Sequence, residues 1–68
     1  MRLWLIEKRK HLGLTQEEVS RAAGISRSYY ARIECGDFEL PPKTAKKIAD
    51  VLLFDWTEFY SEAKEHAS

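Results

Sequence analysis

The sequence predicts an all-α fold, a compact bundle of five short helices in a single domain. Three observations carry that expectation. One helix-start signature recurs three times within 68 residues, a proline pair marks a fourth start, and the apolar residues between these points recur at the helical period while no stretch alternates as a strand would.

The signature is a hydrophobic staple, in which an apolar residue precedes a capping residue and a second apolar residue stands four positions after the cap. Leu14-Thr15 with Val19, Ile25-Ser26 with Tyr30 and Phe54-Asp55 with Phe59 all show it. Glu18 and Glu58, three residues beyond Thr15 and Asp55, supply the other half of a capping box, since a carboxylate there accepts from the backbone N–H of the cap. Pro41-Pro42 opens a further helix, because proline is tolerated in a first turn and forces the residue before it to be extended. The first helix starts near Leu3 and is ended by Gly13. The predicted helices cover 3–12, 16–23, 27–35, 42–53 and 56–64, so the domain spans 1–64 and residues 65–68 form a frayed tail.

Each helix has an apolar stripe: Val19, Ala22 and Ala23 on the second, Tyr30 and Ile33 on the third, Ala45, Ile48, Ala49 and Leu52 on the fourth. The alanines let short helices approach closely, as so small a core requires. Trp4, Leu5, Trp56 and Phe59 are expected to close the other end, joining the first helix to the last.

Composition excludes several roles. The chain is 44% hydrophobic and 32% charged, an ordinary globular balance. The single cysteine, Cys35, has no internal partner, and no charged stretch followed by an apolar core and cleavage site opens the chain, which predicts a cytoplasmic protein. The longest apolar run, Val51 to Phe54, is far short of the roughly 20 residues of a membrane span. Formal net charge is zero, which for a nucleic-acid partner is an unfavourable sign. The halves differ, however: residues 1–36 carry seven basic and four acidic side chains, and residues 37–68 carry four basic and seven acidic. Such a dipolar molecule can turn its basic end to phosphates.

The segments 16–23 and 27–35, joined by a short turn containing Gly24, have the form of a helix-turn-helix, a unit that places its second helix in a groove of DNA. At about 100° per residue, Tyr29, Tyr30 and Ile33 fall to one side of that second helix while Arg27, Ser28, Ala31 and Arg32 occupy the other. Arginine presents a planar fork that bonds guanine O6 and N7 together, serine bonds several base edges, and a small Ala31 lets the helix lie deep. Solvated surface charge is the plain alternative for both arginines.

Leu14-Thr15-Gln16-Glu17-Glu18-Val19, Gly24-Ile25-Ser26-Arg27-Ser28, Arg32-Ile33-Glu34-Cys35-Gly36, Thr44-Ala45-Lys46-Lys47-Ile48-Ala49 and Asp55-Trp56-Thr57, in that order and spacing, resemble the phage repressor and Cro type of helix-turn-helix domain, also called the XRE family. The resemblance covers about 3–60, and the stretch from Phe54 to Tyr60 is similar to small prophage-associated regulators of bacteria. It implies a lambda repressor-like fold that binds double-stranded operator DNA, as a homodimer on a palindromic site, and represses transcription. Position by position it implies base contacts from Arg27, Ser28 and Arg32. Contacts to the DNA backbone are implied or expected from Gln16, Ser26, Tyr29, Arg21, Lys43 and Lys46, with Ser26 mainly a cap. The sequence departs from the pattern at Lys8, where a core leucine is usual, at Leu12, where a polar residue is common, at Cys35, which takes the place of a phosphate-contacting residue and reads as a small, partly buried apolar group, and at Leu53, where glycine often ends the helix.

Other chemistry lacks its residues. Ser26, Ser28 and His11 form no nucleophile-and-base set, and Cys35, His11 and His66 are scattered singles without metal-ligand spacing, so neither an enzyme, a metal, a cofactor nor a small-molecule substrate is expected. The rival reading is a protein-binding module on the same fold, an antitoxin or anti-repressor holding a partner. Trp56, Phe59, Tyr60 and Ala63 on the last helix are the expected apolar surface for that partner or for a second copy.

Overall fold

A computed structural model describes residues 1–36 and 40–60. Four helices are complete, α1 (Leu3–His11), α2 (Gln16–Ala23), α3 (Arg27–Cys35) and α4 (Pro42–Leu52), and a fifth, α5, opens at 58–60. The fold is all-α, with no strand among the described residues. The expected remainder of α5 at 61–64, with Ala63, and the expected tail at 65–68, with His66, lie outside the described residues.

Local chemistry accounts for each boundary. Thr15 and Glu18 close the capping box: the Glu18 N–H donates to Thr15 Oγ1 at 3.1 Å and the Thr15 N–H to Glu18 Oε1 at 2.9 Å. Those bonds, more than any charge partner, hold the Glu18 carboxyl below its ordinary range. Gly24 ends α2 in the left-handed region, φ 72°, which lets its own N–H donate to the Arg21 carbonyl and the Ile25 N–H to the Ser20 carbonyl at 2.9 Å. A side chain at Gly24 would meet nothing within 4 Å, so the requirement there is conformational and not spatial. The chain then enters α3 within three residues, with Ser26 Oγ accepting from the Tyr29 N–H at 3.1 Å.

Three ends differ from expectation, the first being α1, which stops at His11 with Leu12 as its cap and not at 12. α4 stops at Leu52 because Leu53 itself takes the left-handed conformation, φ 61° and ψ 50°, that glycine would adopt more easily. For a leucine this costs about 1 kcal/mol. α5 begins at 58 and not at 56, because Asp55 Oδ1 accepts from the N–H and the hydroxyl of Thr57, at 3.0 and 2.8 Å, and the first bonds beyond it span three residues. The Glu58 carboxylate lies 3.5 Å from Lys8 Nζ.

α2 packs on both α3 and α4, and α1 on α3. Leu5, Val19, Tyr30, Ile33, Ala45 and Ile48 form the center of the core, with Leu40, Leu52 and Phe59 around it. Trp4, Phe54 and Phe59 close the far end as an aromatic triangle with centroids 5.2 to 5.5 Å apart. Three expectations are corrected here. Ala22 is exposed; Cys35, at the last residue of α3, is an exposed free thiol; and Trp56 is half-buried outside the triangle, edge-on to Tyr60 at 5.7 Å, its place taken by Phe54. Lys8 follows the polarity of its ends, its stem lying along the core with Nζ 5.3 Å from the Phe54 ring.

Phe59→Ala opens a cavity in that triangle and is expected to lower stability by about 3 kcal/mol, read as a lower melting temperature, whereas Leu3→Ala, at a residue 63% exposed, leaves stability within about 0.5 kcal/mol of the parent.

Candidate nucleic-acid interface

α3 divides into two faces. Tyr30, Ile33 and Glu34 are buried, Tyr29 and Ala31 are half-buried, and Arg27, Ser28 and Arg32 are exposed. Arg27 forms no ion pair among the described residues. The two arginines stand five positions apart, a rise of about 7.5 Å along the helix, close to two steps of a duplex at roughly 3.4 Å each.

Behind this face sits a buried carboxylate. Glu34, 3% exposed, accepts from Arg9 Nε at 2.6 Å and from Gln16 Nε2 at 2.8 Å, and the second guanidinium branch of Arg9 donates to the Leu14 carbonyl at 2.9 Å. One side chain of α3 thereby holds α1, the turn after it and the start of α2. Burial alone would raise the Glu34 pKa, but the bonds from Arg9 and Gln16 and the charge of Arg9 outweigh it, so the carboxyl is held below its ordinary range. The bond to Glu34 correspondingly raises Arg9. The Tyr30 hydroxyl is buried beside this pair, and desolvation pushes its pKa far up, which keeps it protonated. The C-terminal end of α3 is held as well: the Arg2 N–H donates to the Glu34 carbonyl at 2.7 Å, its guanidinium donates to the Ile33 carbonyl, and that group stands 5.7 Å over the Phe59 ring.

The candidate backbone-contact residues are placed unevenly. Gln16 and Arg27 line one cleft with Leu14 and Thr15, at the N-terminus of α2, where the N–H groups of Gln16 and Glu17 have no acceptor among the described residues. Gln16 donates one Nε2 proton to Glu34, which leaves its second Nε2 proton and its backbone N–H to donate to a phosphate. Ser26 is engaged as the α3 cap and keeps a hydroxyl proton to donate. Arg21 pairs with Glu17 at 3.6 Å and lines a different hollow, with Lys47, between α2 and α4. Lys43 is exposed in the first turn of α4, and Lys46 Nζ sits 5.0 Å over the Trp56 ring. Of the candidate partner surface, Phe59 is 3% exposed and belongs to the chain's own core, Trp56 is half-buried, Tyr60 is 42% exposed and donates its hydroxyl to the Leu40 carbonyl at 2.7 Å, and Ala63 lies outside the described residues.

Sequence reasoning passed over Glu34, Arg9 and Arg2. A signal for the first was present, since Glu34 is four residues after Tyr30 and so lies on the inward stripe, where a charge requires a cation from another helix.

Comparison with known proteins agrees with this geometry. The profile of a helix-turn-helix family matches residues 5–59, which is most of the chain. The chain belongs to the XRE-type helix-turn-helix family of transcriptional regulators. Within this helix-turn-helix family it is 47% identical over 62 residues to the uncharacterised HTH-type transcriptional regulator YqaF of Bacillus subtilis strain 168, an alignment covering 91% of this chain and 82% of that protein. No solved structure matches it. Among the described residues no helix is long and apolar enough to cross a membrane, and no three His, Cys, Asp or Glu side chains stand together as a metal site requires.

A depressed carboxyl contributes stability that is complete above its unfolded pKa and lost as pH falls through its folded value. Thermal melts of the helix-turn-helix domain are therefore expected to show falling stability below about pH 4, and Glu34→Ala to cost about 3 kcal/mol at pH 7 by leaving Arg9 unpaired. A melting temperature at pH 7 unchanged by that substitution would show that the carboxylate holds nothing.

Proposed function

We propose that this chain is a sequence-specific transcriptional repressor that acts in the bacterial cytoplasm, two copies binding a palindromic operator with α3 of each in the major groove. The observation that carries the proposal is the two-faced α3: an outward arc of Arg27, Ser28 and Arg32 on a helix held from behind through Glu34. Arg27 and Arg32 read base edges through their forks and Ser28 through its hydroxyl, while the helix enters over the small Ala31. Gln16, the amides beside it, Ser26 and Tyr29 set register against the phosphates. Arg21, Lys43 and Lys46 add charge without sequence information. Two half-sites are needed because one short helix gives a small interface and modest affinity. The core position of Phe59 removes from α5 much of the apolar area that a module built to sequester another protein would use.

Selection from random duplex pools at two salt concentrations tests the assignment. Arg27→Ala is expected to relax choice at one base position by about 1 to 3 kcal/mol, while Lys46→Ala weakens all sites evenly and flattens the salt dependence by at most about one unit of slope. Equal effects of the two substitutions on sequence preference would overturn it.

A further inference from the structure

The outward arc of α3 has two ends, and different parts of the chain hold them. Arg27 stands in the first turn, beside the Ser26 cap and the cleft it shares with Gln16, whereas Arg32 opens the last turn, whose carbonyls have no donor within the helix. The Gly36 N–H meets two of them, Arg32 and Ile33, at 3.0 and 3.1 Å. Arg2 adds two further bonds. Its N–H donates to the Glu34 carbonyl at 2.7 Å and its guanidinium to the Ile33 carbonyl, so one half-buried residue grips two consecutive carbonyls. Its positive charge lies at the end of the helix where the backbone dipole favours it. Arg2 is fixed in turn: its carbonyl accepts from the Leu5 and Ile6 N–H groups at 3.1 and 3.2 Å, and its guanidinium stands 5.7 Å over the ring of the buried Phe59. A residue outside the helix-turn-helix thereby ties the last turn of α3 to the start of α1 and to the aromatic end of the core.

We propose that Arg2 is a positioning residue for sequence recognition: it sets where the Arg32 guanidinium stands in the groove and leaves the placement of Arg27 to other contacts. What Arg32 does rests on the DNA-reading function proposed above; what Arg2 does rests on the hydrogen bonds alone. The Glu34 carboxylate is a single pivot, since Arg9 and Gln16 both meet it, and a helix held at one pivot and one cap can still tilt or unwind at its far end. The main-chain bonds from Arg2 remove that freedom. A guanidinium fork must meet guanine O6 and N7 together, which demands a place defined to within about 0.5 Å, and the turn that Arg2 grips is the one that carries Arg32. Distance along α3 protects the other arginine. Arg27 lies about 7.5 Å of rise before Arg32, at an end closed by the bond from the Tyr29 N–H to Ser26 Oγ.

Two measurements on the full chain test this, one with DNA and one without. In selection from random duplex pools, well below the melting temperature, Arg32→Ala and Arg27→Ala mark the base positions that each arginine reads. Arg2→Ala is expected to lower discrimination at the Arg32 position by about fivefold or more, the low end of what one bidentate contact supplies, and to leave the Arg27 position within about twofold of the parent. Ile48→Val, a fully buried change in α4 that lowers stability from elsewhere in the core, is expected to leave both positions alone. Without DNA, the Gly36 amide hydrogen of Arg2→Ala is expected to exchange about tenfold faster than the parent's, relative to the Tyr30 amide in the same helix. An Arg2→Ala chain that binds every sequence more weakly, with a flatter salt dependence and unchanged base preferences, marks Arg2 as a phosphate contact and overturns the proposal. So does an Arg32 position left unchanged, an equal loss at both positions, or the same pattern from Ile48→Val. A wild type that selects no sequence overturns the DNA-reading function, and with it the role given to Arg32. The hold of Arg2 on the last turn is then decided by exchange alone, and Gly36 and Tyr30 amides that speed up equally overturn that as well.

Discussion

The carboxylate of Glu34 is the point on which the remaining geometry depends. Four short helices cannot fix one another's angles through apolar packing alone, because a core of this size tolerates sliding where a hydrogen-bonded charge does not. Glu34 accepts from α1 through Arg9 and from α2 through Gln16, and Arg9 reaches onward to the carbonyl of Leu14. The outward arc of α3 therefore has a defined tilt relative to the N-terminus of α2, and the cleft shared by Gln16 and Arg27 keeps its shape. The constraint is polar for a physical reason: a buried charge with its lone pairs satisfied in one arrangement penalises every other arrangement.

Boundaries governed by a few neighbouring residues were legible in the chain. α2 and α3 begin and end where Thr15, Gly24 and Ser26 say they should, because capping boxes and left-handed glycine are chemistry of four to six consecutive residues. The late start of α5 was not, since the Asp55 carboxylate can accept from the N–H two or three residues on, and it accepts from Thr57. The aromatic closure was legible as a composition and misassigned in membership: Trp56 and Phe54 are equally apolar, and only the direction in which Leu53 turns the chain decides which ring meets Trp4. Of the site, the outward arc followed from periodicity, while the brace pairs residues 25 positions apart in sequence, a distance over which no local pattern speaks.

Charge is arranged to the same end. A molecule of zero net charge approaches DNA without the global attraction that a basic domain enjoys. Its affinity must then come from the local charge of the N-terminal half, where Arg27 and Arg32 are exposed on α3, and from geometry. In the proposed complex, a protein of zero net charge is expected to bind DNA of arbitrary sequence weakly and with a shallow dependence on salt. For a reader of sequence that is a useful property, because discrimination is a ratio, and lowering the sequence-independent contribution raises it without any new base contact.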